Sequence, residues 1–194
     1  TLGYATITWE YDIGFQSPVF GDCDRLPSGN VLATAWPRNT TKDISYDARI
    51  MEVTKANEIA WDLQIFGTEC SEQVCDRSPK GTPGDGWVIY SAERFYSSAV
   101  IANATCTTVT GHHKADTYQE LFFTAYCPIK TVYPSNATFF VHDSSGSQIA
   151  KGAFSFSPHW RVTKTSVKIE DGYCDDATLT IKDEWGNSVD TSVS

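Results

Sequence analysis

The residues best suited to chemistry are few and scattered. His112 and His113 stand side by side in TVTGHHKADTY, close to Asp116. Neighbouring side chains on a strand point to opposite faces, so the pair cannot present two ligands to one metal, and a solvated linker is the simpler reading. His142 stands alone, and His159-Trp160 opens an expected strand and reads as packing. Glu170, Asp171, Asp175 and Asp176 could offer oxygens to calcium, but their spacing fits no EF-hand loop, and a solvated turn accounts for them. Asp24-Arg25 reads as an ion pair bracing a strand edge, with a ligand-binding arginine as the sharper alternative. The sequence contains no Gly-x-Ser-x-Gly, no phosphate loop and no catalytic Cys/His pair. These residues therefore assign no catalytic group, no metal site and no cofactor. Aromatic side chains could stack on sugars, although Trp9 and Trp61 have a structural explanation in the repeat described below.

The cysteines and asparagines say more. Six cysteines (Cys23, Cys70, Cys75, Cys106, Cys127 and Cys174) occur without a Cys-x-x-Cys pair. They accompany three N-glycosylation sequons, at Asn39, Asn103 and Asn136. An even cysteine count beside repeated sequons points to an oxidising, secretory route, hence to an extracellular glycoprotein with disulfides. A pairing of Cys70–Cys75, Cys23–Cys106 and Cys127–Cys174 closes one short loop and keeps the others within the domains proposed below. Other pairings remain open.

The 194 residues can build one large or two small cored domains. Thr1 opens the chain without an apolar leader, which reads as a processed or excerpted product. No apolar run approaches the roughly 20 residues of a membrane-spanning helix. A net charge of −9 argues against nucleic acid and anionic membranes as partners and is explained by solubility.

The element pattern is β throughout. ATITWEYDI at 5–13 and NEIAWDLQI at 57–65 match at an offset of 52, placing Ile7, Trp9, Tyr11 and Ile13 over Ile59, Trp61, Leu63 and Ile65. Both alternate apolar with mostly polar residues, the period of a half-buried strand. Asp24-Arg25-Leu26 is echoed more weakly by Glu93-Arg94-Phe95, with the Gly-, Pro- and Ser-rich stretch 67–86 as an insertion carrying Cys70 and Cys75. Strands are expected at 21–26, 30–36, 47–54 and 57–65. A period near 50 with several short strands per unit is that of a propeller blade.

The segments GDCDRLPSGNVLATAW, YDARIMEVTKANEIAWDLQI and WVIYSAERFY resemble the arylsulfotransferase-type β-propeller family, particularly its eukaryotic secreted members. The resemblance covers roughly residues 5–106. It implies a propeller fold and, for the family's enzymes, sulfuryl transfer through a histidine nucleophile. All four histidines lie beyond residue 106, so no catalytic residue is carried over. Only one complete blade is present, where a closed propeller typically needs about four or more.

From about 107 the repeat gives way to strands expected at 117–127, 136–142, 148–156, 159–169, 177–184 and 188–193. Turn signals separate them, the pattern of an immunoglobulin or fibronectin-III sandwich. The expectation is an all-β protein: incomplete propeller-like blades over 1–106 and a β-sandwich over 107–194. The function expected is a secreted, non-catalytic structural protein that self-associates head to tail by β-strand addition, with filaments as one outcome. Ile7, Trp9, Tyr11 and Ile13 form the donated strand, and 87–105 receives it. The alternatives are the C-terminal part of a sulfotransferase-like enzyme and a carbohydrate-binding module.

Overall fold

The computed structural model describes residues 4–17, 21–37, 47–65, 70–71, 74–75, 89–110, 117–170 and 173–194. Among these residues there are thirteen strands and no helix. The chain divides into two compact units, Thr1–Glu93 and Arg94–Ser194.

Four hairpins in the two units turn through the same five-residue device. In Leu26–Asn30, Thr54–Glu58, Asp143–Ser147 and Asp183–Asn187 the first N–H donates to the last carbonyl at 2.8–2.9 Å. The fourth residue then donates back to the first carbonyl and takes a positive φ: Gly29 85°, Asn57 63°, Gly146 84° and Gly186 91°. This is a type I turn followed by a left-handed residue. A β-carbon there costs about 1–2 kcal/mol, which is why glycine or asparagine fills the position. The first side chain often ties the loop. Asp183 accepts from the Trp185 and Asn187 N–H groups at 3.0 and 2.8 Å, and Asp143 does the same for Ser145 and Ser147.

In the first unit, β1 (Gly21–Arg25), β2 (Val31–Ala35), β3 (Ala48–Val53) and β4 (Ile59–Ile65) form an antiparallel sheet in the order β1-β2-β3-β4. These are the four strands expected from the sequence. One face carries Ala33, Ala35, Met51 and Val53, against which Trp9, Tyr11, Ile13 and Phe15 pack. The segment 5–13, expected as a strand, belongs to no strand. Its alternation is real, since residues 9, 11, 13, 15 and 17 are half-buried while those between are exposed. The segment lies over the sheet's face, so alternation yields side-chain contacts without a backbone ladder. Within the insertion, β5 (Cys70–Ser71) and β6 (Val74–Cys75) pair antiparallel, with Cys70 opposite Cys75.

The second unit holds β7 (Val100–Thr110), β8 (Thr117–Tyr126), β9 (Ser135–His142), β10 (Gln148–Phe156), β11 (Thr163–Ile169), β12 (Thr178–Asp183) and β13 (Ser188–Ser192). They form two antiparallel sheets, β11-β8-β7 and β10-β9-β12-β13. Leu121 and Phe123 from the first sheet share one core with Phe139, Val141, Phe156, Leu179 and Ile181 from the second. Phe123 meets Phe139 and Phe154 edge to face, each at 5.5 Å between ring centres, the preferred aromatic geometry.

Two expectations are corrected here. β7 runs across the boundary placed at 106/107 and pairs with β8 from Val100 to Thr110, so 100–105 is a sandwich strand and not the inner part of an open blade. A bulge between Ile101 and Asn103 breaks its alternation, which hid the strand from a period-2 reading. His159 and Trp160 do not open a strand. Both have positive φ (55° and 51°) in the turn before β11, and Trp160 is buried with its ring edge-on to Tyr96.

Candidate assembly surface

The two edges of the first unit's sheet differ in chemistry. β1 presents Asp22, Asp24 and Arg25, and charge along an edge discourages pairing with another chain. β4 is the opposite case. Its Ile59, Trp61 and Leu63 are 44%, 42% and 43% exposed, an apolar row along an edge strand. Register sets the row's depth: Trp61 lies opposite Glu52, and Leu63 opposite Ile50. Asp62 points the other way and fastens β4 to β3, receiving Arg49 Nε at 2.8 Å and Nη2 at 3.1 Å. A two-pronged guanidinium–carboxylate contact fixes orientation as well as distance. β4 is thus a firmly held strand whose outer margin is apolar and half exposed.

The residues expected to form a donated strand divide. Ile7 is 78% exposed, whereas Trp9, Tyr11 and Ile13 are half-buried on the face of their own sheet. Trp9 and Tyr11 stack in parallel with ring centres 6.4 Å apart. The Trp9 indole N–H is buried with no hydrogen-bond partner among the described residues, an arrangement that costs about 1–3 kcal/mol. The segment ends at Gly14, whose N–H donates to Asp12 Oδ1 at 2.8 Å with a φ of 77°. Ser17 Oγ then accepts from the Trp36 N–H at 2.9 Å, tying the segment to the end of β2.

Two sequon asparagines are exposed on strands, Asn103 on β7 and Asn136 on β9; Asn39 lies outside the described residues. Asn136 Oδ1 accepts from Ser155 Oγ at 3.0 Å, and its N–H donates to Glu184 Oε2 at 3.3 Å.

The cysteine pairing is corrected. Cys106 on β7 joins Cys174, just before β12, with their Cα atoms 5.7 Å apart. Gln119 holds that loop in place, accepting from the Cys174 N–H at 2.6 Å and donating to Asp175 at 3.1 Å. The bridges Cys23–Cys106 and Cys127–Cys174 are therefore not formed. Cys127 is a buried thiol beside Ser135 Oγ at 3.6 Å, and Cys23 is an exposed one on β1. Partial burial, then the charges of Asp22 and Asp24, push the Cys23 thiol above its ordinary pKa, away from thiolate reactivity. Chain spacing carried no signal for the true partner, because the sandwich brings together residues 68 apart.

The remaining candidates do not converge. His112, His113, Asp116 and Asp171 lie outside the described residues. His142 ends β9, and the His159 N–H donates to the Thr131 carbonyl at 2.8 Å. Glu170 follows β11, while Asp175 and Asp176 sit in the turn before β12. Among the described residues no three His, Cys, Asp or Glu side chains gather as a metal set, and no helix is long and apolar enough to cross a membrane. The chain matches no known family profile, and no curated protein or solved structure is significantly similar to it.

Proposed function

We propose that this chain is a secreted, glycosylated structural protein, without catalysis, whose copies join head to tail by β-strand addition at the open edge of β4. The observation that carries the reading is the apolar row Ile59, Trp61 and Leu63 on β4, which among the described residues is an edge strand with no partner on its outer side. The segment 5–13 repeats the apolar pattern of that strand and makes no ladder of its own, so it is the natural donor. Added beside β4, its Ile7, Trp9, Tyr11 and Ile13 would extend the apolar row, and cross-strand pairs of aromatic and branched side chains contribute about 0.2–1 kcal/mol each. The acceptor moves from 87–105 to β4 because 100–105 is already paired. A contact between two different surfaces that does not close produces a filament.

The finer fold readings belong to the same proposal. The meander β1-β2-β3-β4 is the unit from which propeller blades are made. In the second unit β8 and β9 are consecutive yet lie in opposite sheets, and the order β10-β9-β12-β13 over β11-β8-β7 supports an immunoglobulin or fibronectin-III sandwich. The exposed Asn103 and Asn136 and the Cys106–Cys174 bridge support an oxidising, extracellular setting.

Deleting residues 1–13 tests the assembly. The truncated chain is expected to sediment as a monomer and to form no fibres under electron microscopy, where the full chain assembles. Assemblies that persist unchanged in the truncated chain would remove the segment from the interface.

A further inference from the structure

Beside Asn136 the outer face of the four-stranded sheet sinks into an open depression of about 320 Å³. That is the lower end of ligand-sized clefts, roughly 300–1,000 Å³. Its walls are Asn136 and Thr138 of β9, Ala153 and Ser155 of β10, Lys182 of β12 and Glu184 in the turn after it. The register places them together, since Ser155 lies opposite Asn136, and Ala153 and Lys182 flank Thr138 on either side. Ala153 and Ser155 are small, which is what opens the depression. Around this floor stand a carboxylate, an ammonium and hydroxyls.

We infer that this depression seats the first sugar of a glycan carried by Asn136. The inference rests on the secretory reading of the sequons. Three features point the same way. Ser155 Oγ donates to Asn136 Oδ1 at 3.0 Å and so engages the amide through its oxygen, leaving the nitrogen as the atom for attachment. The sequon hydroxyl of Thr138, two residues along the strand, lies on the same face. The space beside the amide matches a sugar's mixed character: the apolar ring face can rest on Ala153 and the Lys182 stem, while its hydroxyls meet Glu184 and the Lys182 ammonium. The attachment needs a lipid-pyrophosphate-linked oligosaccharide as donor. Asn136 Nδ2 forms the bond to the anomeric carbon and loses one proton, and the anomeric C–O pair leaves with the pyrophosphate. At Asn103 the sequon lies on β7, outside this depression.

The test uses the native glycoprotein, digested without denaturant by a peptide:N-glycanase and followed peptide by peptide by mass spectrometry. Release from Asn136 is expected about tenfold slower than from Asn103, the effect of about 1.4 kcal/mol of seating. Ala153→Arg, an exposed site that fills the floor, is expected to bring Asn136 to the Asn103 rate; Lys182→Ala does so in part and serves if the arginine disturbs the strand. Equal release at both sites in the native protein overturns the seating and leaves the secretory reading intact. So does an Asn136 peptide that carries no glycan beside an occupied Asn103. Both asparagines unoccupied in native material would overturn the seating and the secretory reading together.

Discussion

The two units share a turn and differ in how they bury what the turns connect. In the second, two sheets face each other and each supplies the other's apolar partner, so Phe123, Phe139, Leu179 and Ile181 are all at or below 4% exposure. In the first, a short peptide is laid over one face of a sheet, where Ala35, Met51 and Val53 are enclosed with partly buried aromatics around them, and Leu26, Val31, Leu32 and Ala48 are buried as well. The edge of that sheet keeps Ile59, Trp61 and Leu63 half in water. An apolar margin left half in water has burial to gain from a partner. Under the proposed function, the first unit carries assembly and the second carries stability.

The largest expected effect separates them directly. Phe123→Ala is expected to cost about 3–5 kcal/mol in urea unfolding, the loss of a fully enclosed aromatic and the cavity it leaves. Trp61→Ala is expected to cost the unassembled protein much less, about 1 kcal/mol or under, because the ring is already partly solvated. Similar costs at the two sites would erase the distinction. Next comes the bridge: replacing both Cys106 and Cys174 by serine releases a 68-residue separation and is expected to cost about 4 kcal/mol from unfolded-chain entropy, read as a lower melting point. Assembly measured at a temperature where this variant stays folded should not change.

How much of this was legible in the sequence varies with the physics that placed each element. Pro27-Ser28-Gly29-Asn30 and the strand behind it read correctly because a left-handed glycine flanked by apolar runs has few other solutions. β9, β10, β12 and β13, joined in pairs by the same turn, were legible for the same reason, whereas β11 was expected to start four residues too early. The segment 5–13 was read as a strand because its alternation is that of a half-buried strand; alternation shows that one side is buried and not whether a neighbour supplies backbone or side chains. The partner of Cys106 was illegible because it depends on which sheet each strand joins. Of the proposed surface, the donor residues were named by the repeat, but the β4 row was hidden, since Ile59, Trp61 and Leu63 read equally well as core.

Smaller effects test the shared turn. Gly186→Ala is expected to lose about 1 kcal/mol by forcing a β-carbon into the left-handed region, while Asn57→Gly is expected to be neutral or slightly stabilising at the equivalent place. A Gly186→Ala chain that is no less stable, or a clearly destabilised Asn57→Gly chain, would show that the turns are not equivalent. The smallest effect is electrostatic. Hydrogen bonds from the Ser145 hydroxyl, then the Ser147 N–H, hold the Asp143 carboxyl below its ordinary pKa. A depressed folded-state pKa stabilises above the unfolded value and is lost as pH falls through the folded one, so this turn should loosen only at strongly acid pH. An NMR titration of the Asp143 carboxyl should give the lowered value, and Ser145→Ala should raise it.

The central claim is that β4 is the margin at which copies join. Sedimentation velocity of Trp61→Lys across a concentration series addresses it most directly, because the substitution puts a charge on the proposed contact and leaves the Arg49–Asp62 tie in place. The account predicts a monomer at concentrations where the unaltered chain forms higher species, with the melting point of the monomer little changed. A Trp61→Lys chain that assembles as readily as the unaltered one would contradict it.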